Sequence, residues 1–245
     1  MKDSKHISIG KVDSRFNNST PQDAHELLMC MLEQLKERRS GSSGGGIEME
    51  SVGQFRSTMA CTQCLNASSS QLEEFNCLSV QIGDLINPLV TDCIEEYMKD
   101  EVIPLETGWW CETCCAISTG EKRLVVERSP KILIVSLKRF LYQNGDVGKV
   151  GTQVGICEKI MFGYAEYRLV GIVKHSGSRE SGHYVAVTCW PDGWAIHNDA
   201  KVDPSCVKEL HWCPDSYILF YQEAECSQYP TPPFGGAPPR SVVEE

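Results

Sequence analysis

The sequence predicts an α+β domain, and three observations support this fold class. Apolar residues recur at helical spacing between residues 20 and 38, which predicts one amphipathic helix near the start of the chain. From Lys122 onward, apolar runs alternate with glycine-containing turns, which is typical of a mixed or antiparallel sheet. Two paired-cysteine motifs lie between these regions and predict a protruding β-ribbon.

The helix predicted for residues 20–38 has a start signal and an apolar stripe. Thr20 is a suitable N-cap, Pro21 fits the first helical position, and Asp23 supplies a first-turn carboxylate. The run of glycine and serine at 41–46 ends the helix and predicts a flexible loop. The stripe has the spacing of a buried helix face and consists of Ala24, Leu27, Leu28, Met31, Leu32 and Leu35.

Apolar runs predict strands before and after a short amphipathic helix at about 92–99. The glycine-rich residues 143–156 are expected to form a loop. The run at 132–137 is almost entirely apolar, which suits a central strand. The predicted strands are 50–60, 71–82, 124–126, 132–137, 167–173 and 215–221. The expected inward side chains of the first two strands are Phe55, Phe75, Leu78, Val80 and Ile82.

Charge and cysteine content narrow the function classes. A formal net charge of −10 argues against a nucleic-acid partner, and it suits either a basic ligand or simple solubility. The 13 cysteines are odd in number, and no apolar signal region follows Met1, which argues against a disulfide framework. No apolar run is long enough for a bilayer, so we expect no membrane contact and an intracellular location, cytoplasmic or nuclear.

A polar, glycine-rich stretch at 175–182 leads into a predicted strand at His183. A second apolar stretch follows the turn at 191–193 and ends at Asn198. Two strands joined by a short turn lie side by side, so His183 and Asn198 should be neighbours, and a histidine oriented by an amide is part of a nucleophilic triad. From this stretch alone, a surface loop whose histidine caps a strand is the simpler interpretation.

Two C-x-x-C motifs predict a structural zinc site. Their four thiolates would satisfy tetrahedral zinc and leave no open position for catalysis. The motifs are 46 residues apart, which is too far for a compact zinc ribbon, so each is expected at the tip of its own hairpin. The alternative is four buried, reduced cysteines. The predicted ligands are Cys61, Cys64, Cys111 and Cys114.

Several short motifs occur together in one order, and the chain thereby resembles the catalytic domain of a ubiquitin-specific protease. This family consists of papain-like thiol isopeptidases with fingers, palm and thumb. The resemblance implies that fold here, with an incomplete thumb, for residues 1–221, with fingers at about 48–125 and a disordered proline-rich tail at 222–245. The motifs are Pro21–Glu26, the two cysteine pairs, Leu137–Phe140, His175–Gly177, Gly182–Tyr184, Trp194 with Asn198–Asp199, and Tyr217–Tyr221.

The resemblance implies a catalytic role for three residues. His183 would be the general base, Asn198 would orient it, and Asp199 would support the site. The reaction implied is hydrolysis of the bond at the C-terminal glycine of ubiquitin, with ubiquitin and ubiquitinated proteins as partners.

The resemblance also implies roles in substrate and metal binding. Asp23 and Glu26 would face the arginines of the ubiquitin tail, and His175 and Tyr184 would line the channel for that tail. The four paired cysteines would hold the zinc of the fingers. The loop at 176–181 would be mobile and border the channel.

The chain departs from the family pattern at the nucleophile. The family has a Gly-Asn-Thr-Cys segment upstream of the helix that begins here near Gln22, and none of the 21 residues before Gln22 is cysteine. Cys30 falls close to the apolar stripe of the helix, and Cys189 and Cys206 lack the motif. We therefore expect no cleavage by this chain.

Three functions remain open at this point. The first is a deubiquitinase from which the cysteine-bearing segment has been lost by truncation, and the presence of both His183 and Asn198 favours it. The second is an inactive homologue that binds ubiquitin. The third is a zinc-stabilised interaction scaffold.

Overall fold

The structure is a computed structural model that describes residues 13–16, 20–37, 50–83, 86–143, 146–178, 181–190, 193–203, 212–213 and 215–224. Helix α1 spans Ala24–Glu37 and helix α2 spans Val90–Tyr97. The strands before residue 130 are β1 (Gly53–Cys61), β2 (Ala67–Phe75), β3 (Leu78–Gln81), β4 (Glu101–Ile103), β5 (Trp110–Cys111), β6 (Ala116–Ile117) and β7 (Gly120–Arg128). The later strands are β8 (Ile132–Lys138), β9 (Phe140–Gln143), β10 (Asp146–Lys149), β11 (Val154–Gly155), β12 (Lys159–Phe162), β13 (Ala165–Gly177), β14 (Gly182–Trp190), β15 (Gly193–Asn198), β16 (Lys201–Asp203), β17 (Trp212–Cys213) and β18 (Ser216–Glu223).

A mixed eight-stranded sheet forms the body of the fold, which confirms the predicted α+β class. Its order is β16-β15-β14-β13-β18-β8-β3, and β12 pairs with the start of β13. The pair β3–β8 is parallel, whereas the other pairs of this sheet are antiparallel. Strand β18 comes last in the described chain but lies between β13 and β8, so it is an interior strand.

Both faces of this sheet are covered around β8, which explains its continuous apolar sequence. Leu133, Val135 and Leu137 belong to the larger core cluster, which includes buried residues of α2. Ile134 belongs to a second cluster that includes Leu32 of α1. Successive side chains of a strand point to opposite faces, so a strand buried on both faces is apolar throughout.

A second, four-stranded sheet has the order β2-β1-β7-β4. Phe55 stacks on Phe75 with ring centroids 4.1 Å apart, and both rings pack on Phe162 of the larger sheet. The predicted finger range of about 48–125 is interrupted, because β3 pairs with β8 and the buried side chains of α2 join the main core. Sequence spacing could not place this return of the chain to the main sheet.

The predicted buried stripe of α1 is only partly correct, because Leu32 is 5% exposed whereas Met31 and Leu35 are 45% and 39% exposed.

Three further local predictions need correction. Helix α1 begins at Ala24, and its N-cap is Asp23 rather than Thr20, because Asp23 Oδ1 accepts hydrogen bonds from the backbone N–H groups of His25 (2.7 Å) and Glu26 (3.0 Å). Residues 146–149 form strand β10, paired with β9, despite their glycine content. Strand β18 extends beyond its predicted end at residue 221, through Gln222 and Glu223. Gln222 pairs with both β8 and β13, and Glu223 pairs with β13.

Some predictions lie outside the described residues. These are the loop at 41–46, the first two residues of the turn at 191–193, Cys206 and the tail beyond residue 224. Within the described part of the chain, no helix has both the length and the apolar character that crossing a membrane would require.

Candidate catalytic and metal sites

His183 and Asn198 form a hydrogen bond at one end of the large sheet. Strands β14 and β15 pair with Ala186 opposite His197, which brings Asn198 to the end of β14 where His183 lies. His183 Nε2 is 2.6 Å from Asn198 Oδ1, as the turn between the strands predicted. An amide oxygen only accepts, so Nε2 carries the proton and Nδ1 of the neutral ring has a free lone pair. The arrangement provides an oriented base.

Asp199 directly follows this pair and forms the turn between β15 and β16. Its φ of 51° lies in the left-handed region, which aspartate tolerates better than most residues. The side chain is exposed at this turn. The structure therefore places Asp199 beside Asn198, at the point where β15 ends.

Asp23 and Glu26 have different environments. Asp23 uses Oδ1 to cap α1, and its Oδ2 accepts a hydrogen bond of 2.5 Å from the hydroxyl of Tyr217 on β18. Glu26 is exposed, and its carboxylate is 3.6 Å from the guanidinium of Arg15. Glu26 can therefore meet a basic ligand directly, whereas Asp23 also holds the start of α1 against the sheet.

His175 and Tyr184 lie opposite each other on β13 and β14. Their ring centroids are 4.6 Å apart, and His175 is only 4% exposed. Burial lowers the pKa of His175, and the positive charge of Lys149 lowers it further. The hydroxyl of Tyr184 accepts a hydrogen bond of 3.3 Å from the backbone N–H of Ala24. Tyr184 thus joins α1 to the sheet, and His175 packs behind it as a neutral ring.

The four predicted metal ligands come together at the tips of two hairpins, as expected. Their sulfur atoms all lie within 4.8 Å of one another, with Cys61–Cys114 at 3.9 Å and Cys64–Cys111 at 3.7 Å. Sulfurs bound at about 2.3 Å to a tetrahedral zinc ion would be separated by about 3.8 Å. The geometry therefore fits a tetrahedral metal bound by four thiolates.

Hydrogen bonds around the cysteine cluster favour a thiolate at Cys61. The backbone N–H of Gln63 points to Cys61 Sγ, and that of Cys114 points to Cys111 Sγ, both at 3.4 Å. Ser118 Oγ is 3.2 Å from Cys61 Sγ, and this contact is the main reason why the pKa of Cys61 is lowered to about 6. The neighbouring cysteines raise the pKa of Cys114 to about 12. All four sulfurs can therefore be thiolates only when a cation lies between them.

Among the residues that the structure describes, the cysteines outside the cluster do not resemble an activated nucleophile. Burial raises the pKa of Cys77 to about 12 and that of Cys93 to about 11, and it also raises the pKa of Cys157. Cys189 is exposed but lies six residues along β14 from His183, which is roughly 20 Å at the usual rise of a strand. Cys30 lies in the second turn of α1 rather than at its N-terminus.

The sequence did not indicate the residues that form hydrogen bonds with the predicted site residues from distant parts of the chain. The Tyr217 contact with Asp23 joins segments 194 residues apart, and the Ser118 contact with Cys61 spans 57 residues. Tyr217 fell within a recognised motif without a role, and no local pattern singled out Ser118. Such pairs depend on strand register, which the sequence alone left open.

Sequence comparisons place the chain among known proteins. The family model described as ubiquitin carboxyl-terminal hydrolase matches residues 5–221. Ubiquitin carboxyl-terminal hydrolase 21 of Homo sapiens is 30% identical over 186 residues, which cover 70% of this chain and 32% of that protein. The same values hold for the protein of Rattus norvegicus. The chain thus spans about a third of the length of these curated relatives.

Solved structures agree with this similarity. The SAGA DUB module of Ubp8, Sgf11, Sus1 and Sgf73 bound to monoubiquitin matches with a TM-score of 0.76 and 25% identity, over 88% of this chain and 51% of the other. The module bound to ubiquitin aldehyde matches with a TM-score of 0.77 and 24% identity, over 88% and 52% of the two chains.

Proposed function

The chain belongs to the ubiquitin carboxyl-terminal hydrolase family, and on that premise we propose that it binds ubiquitin through a deubiquitinase fold whose base is present and whose nucleophile is not among its own residues. The observation that carries the proposal is the 2.6 Å hydrogen bond between His183 and Asn198. An amide that orients a histidine at the end of a strand has a clear use in thiol chemistry.

In this chemistry, His183 would act as base and then as acid. Nδ1 would take the proton of a thiol as the sulfur attacks the carbonyl carbon at the C-terminal glycine of ubiquitin. The same proton would pass to the leaving amine, and a water molecule would then release the acyl group. Asn198 Oδ1 would hold the ring throughout, because Nε2–H has no other role in the cycle.

Binding without cleavage is the behaviour we propose for the chain itself. The buried thiols have raised pKa values, and Cys189 lies far along β14 from His183. Glu26 would meet the arginines of the ubiquitin tail, and Asp23 would hold the helix that presents it. His175 and Tyr184 would form the inner wall of the tail channel.

We propose zinc as the metal of the cysteine cluster. Four thiolates at tetrahedral spacing suit zinc, and such a closed site is structural. Bound to Cys61, Cys64, Cys111 and Cys114, the metal would join the hairpin β1–β2 to the hairpin β5–β6. A structural zinc site does not itself require ubiquitin. The competing function is therefore a zinc-stabilised interaction scaffold that does not bind ubiquitin.

Ubiquitin binding is tested by calorimetry with monoubiquitin and with ubiquitin lacking its C-terminal tail. We expect binding of the intact protein and at least about tenfold weaker binding of the shortened one, since the charged tail contacts would be lost. Glu26→Lys should weaken binding, and Glu158→Lys, which makes the same charge change at another exposed position, should not. If intact ubiquitin does not bind, the ubiquitin-binding function is refuted and the interaction scaffold becomes the favoured function.

A further inference from the structure

Strand β13 extends beyond the start of its neighbour β18. The last pair between these strands is Lys174 with Ser216, followed by a hydrogen bond from His175 N–H to Asp215 O. Residues 175 and 177 direct their backbone groups to the side of β18, because alternate residues of a strand share a direction. Their carbonyl oxygens therefore face the position where β18 no longer provides a partner.

Lys149 of β10 occupies that position. Its Nζ donates hydrogen bonds to the carbonyl oxygens of His175 (2.7 Å) and Gly177 (3.0 Å). The same ammonium is 3.8 Å from Asp215 Oδ1, and the lysine side chain is only 19% exposed. An ammonium has three N–H donors, so two are used on the end of β13 and the third faces the carboxylate.

The segment held in this way is the one that presents His183. Ser176, which lies between the two bonded residues, is the cross-strand partner of His183. Ser178 N–H donates to Ser181 O at 2.9 Å, which joins the residues that follow β13 to those that precede β14. A displacement of 175–177 would therefore be transmitted through one strand pair to His183.

We propose that Lys149 is a positioning residue, which fixes the end of β13 and thereby holds His183 at its bonding distance from Asn198. This role rests on one part of the proposed function, namely that His183 is the base. Lys149 itself contacts neither His183 nor the reacting atoms, and it acts through backbone carbonyl groups. Burial, with a further contribution from the positive charge of Lys149, also lowers the pKa of His175, which packs against Tyr184.

The test is NMR spectroscopy of the 245-residue chain with labelled histidines, assigned through His183→Gln. In the unmodified chain, the ring of His183 should carry its proton on Nε2. In Lys149→Met, which keeps the length of the side chain but removes its donors, the ratio of the Nε2–H to the Nδ1–H tautomer should fall at least about twofold. Hydrogen exchange of the Ser178 amide should become about tenfold faster, whereas the exchange rates of the core amides of β8 should not change.

Two variants separate positioning from a general loss of stability. Lys149→Arg keeps N–H donors at the same place. Its tautomer ratio and its Ser178 exchange rate should therefore match those of the unmodified chain. Lys159→Met removes an exposed lysine that lies 3.9 Å from Glu166, and it should change neither. If Lys149→Met does not fold, Lys149→Gln replaces it, because the amide keeps a donor at shorter reach and should give a smaller shift in the same direction.

An unchanged tautomer ratio in folded Lys149→Met, or in folded Lys149→Gln where that variant replaces it, would overturn the inference, and so would an equal change in Lys159→Met. These measurements need no ubiquitin. A chain that fails to bind ubiquitin but shows the Lys149 effect would refute the proposed function and leave the positioning role intact.

Discussion

His183 Nε2 and Asn198 Oδ1 are 2.6 Å apart, and the bond between them determines which nitrogen of the ring can accept a proton. Two antiparallel strands with a fixed register produce this distance. The bond has a direct consequence for the ring. It stabilises the tautomer with the proton on Nε2 and leaves Nδ1 as the base.

Asn198→Ala should release the ring of His183. Since a net hydrogen bond contributes roughly 0.5–1.5 kcal/mol, the preference for the Nε2–H tautomer should fall about 2- to 10-fold. Nitrogen chemical shifts of the labelled imidazole measure this ratio directly. An unchanged ratio in a folded Asn198→Ala chain would mean that another group orients the ring.

Cys64→Ser should abolish zinc binding by the cysteine cluster. A hydroxyl is a poor substitute for a thiolate in a tetrahedral sulfur site, so the one zinc ion per chain expected for the unmodified protein should be lost. Cys115→Ser is the matched control, because Cys115 is adjacent to the cluster and outside it. Metal analysis after dialysis distinguishes the two, and equal retention of zinc in both variants would contradict the assignment.

Gly182→Ala should destabilise the fold. A Cβ at this position would overlap the ring of His175, which is buried and has little room to move. Overpacking of this kind costs about 1–3 kcal/mol in the free energy of unfolding. Gly148→Ala places a methyl group in open space and should change the free energy of unfolding by less than about 1 kcal/mol. Urea denaturation measures both, and a similar stability for the two variants would show that the contact is unimportant.

Acidification should destabilise the chain partly through His175. Burial, with a further contribution from Lys149, lowers the pKa of His175 in the folded state, so the unfolded state binds more protons once the pH falls below about 6.5. The free energy of unfolding should therefore decrease as the pH falls from about 7.5 through that window. His175→Gln should reduce this slope, measured by urea denaturation at several pH values, and an identical slope in the variant would refute the role of His175.

The sequence was sufficient for features that depend on local periodicity or on paired motifs. The helix α1, the apolar run of β8 and the two cysteine pairs were predicted because each has its own spacing, although Met31 and Leu35 of the predicted stripe are exposed. The adjacency of His183 and Asn198 followed from a short turn between two strands. Each of these features depends on residues that are near in sequence or chemically distinctive.

Features that depend on pairing across long stretches of chain were not predicted. The return of β3 to the main sheet, the capping of α1 by Asp23 with support from Tyr217, and the contact of Lys149 with β13 all require knowledge of strand order. The glycines of 143–156 indicated a loop, but residues 146–149, which include Gly148, pair with β9, and Val154–Gly155 pair with β17. Tertiary pairing overrides composition in such segments.

The most direct test of the account is incubation of the 245-residue chain with ubiquitin that carries a thiol-reactive group at its C-terminus. We predict reversible binding and no covalent adduct, because none of the cysteines that the structure describes has the setting of an activated thiol beside His183. Intact-mass spectrometry with and without reducing agent measures the adduct, and His183→Ala provides the control. An adduct on Cys30, Cys189 or Cys206 that disappears in His183→Ala would contradict the account, since it would identify a nucleophile within this chain.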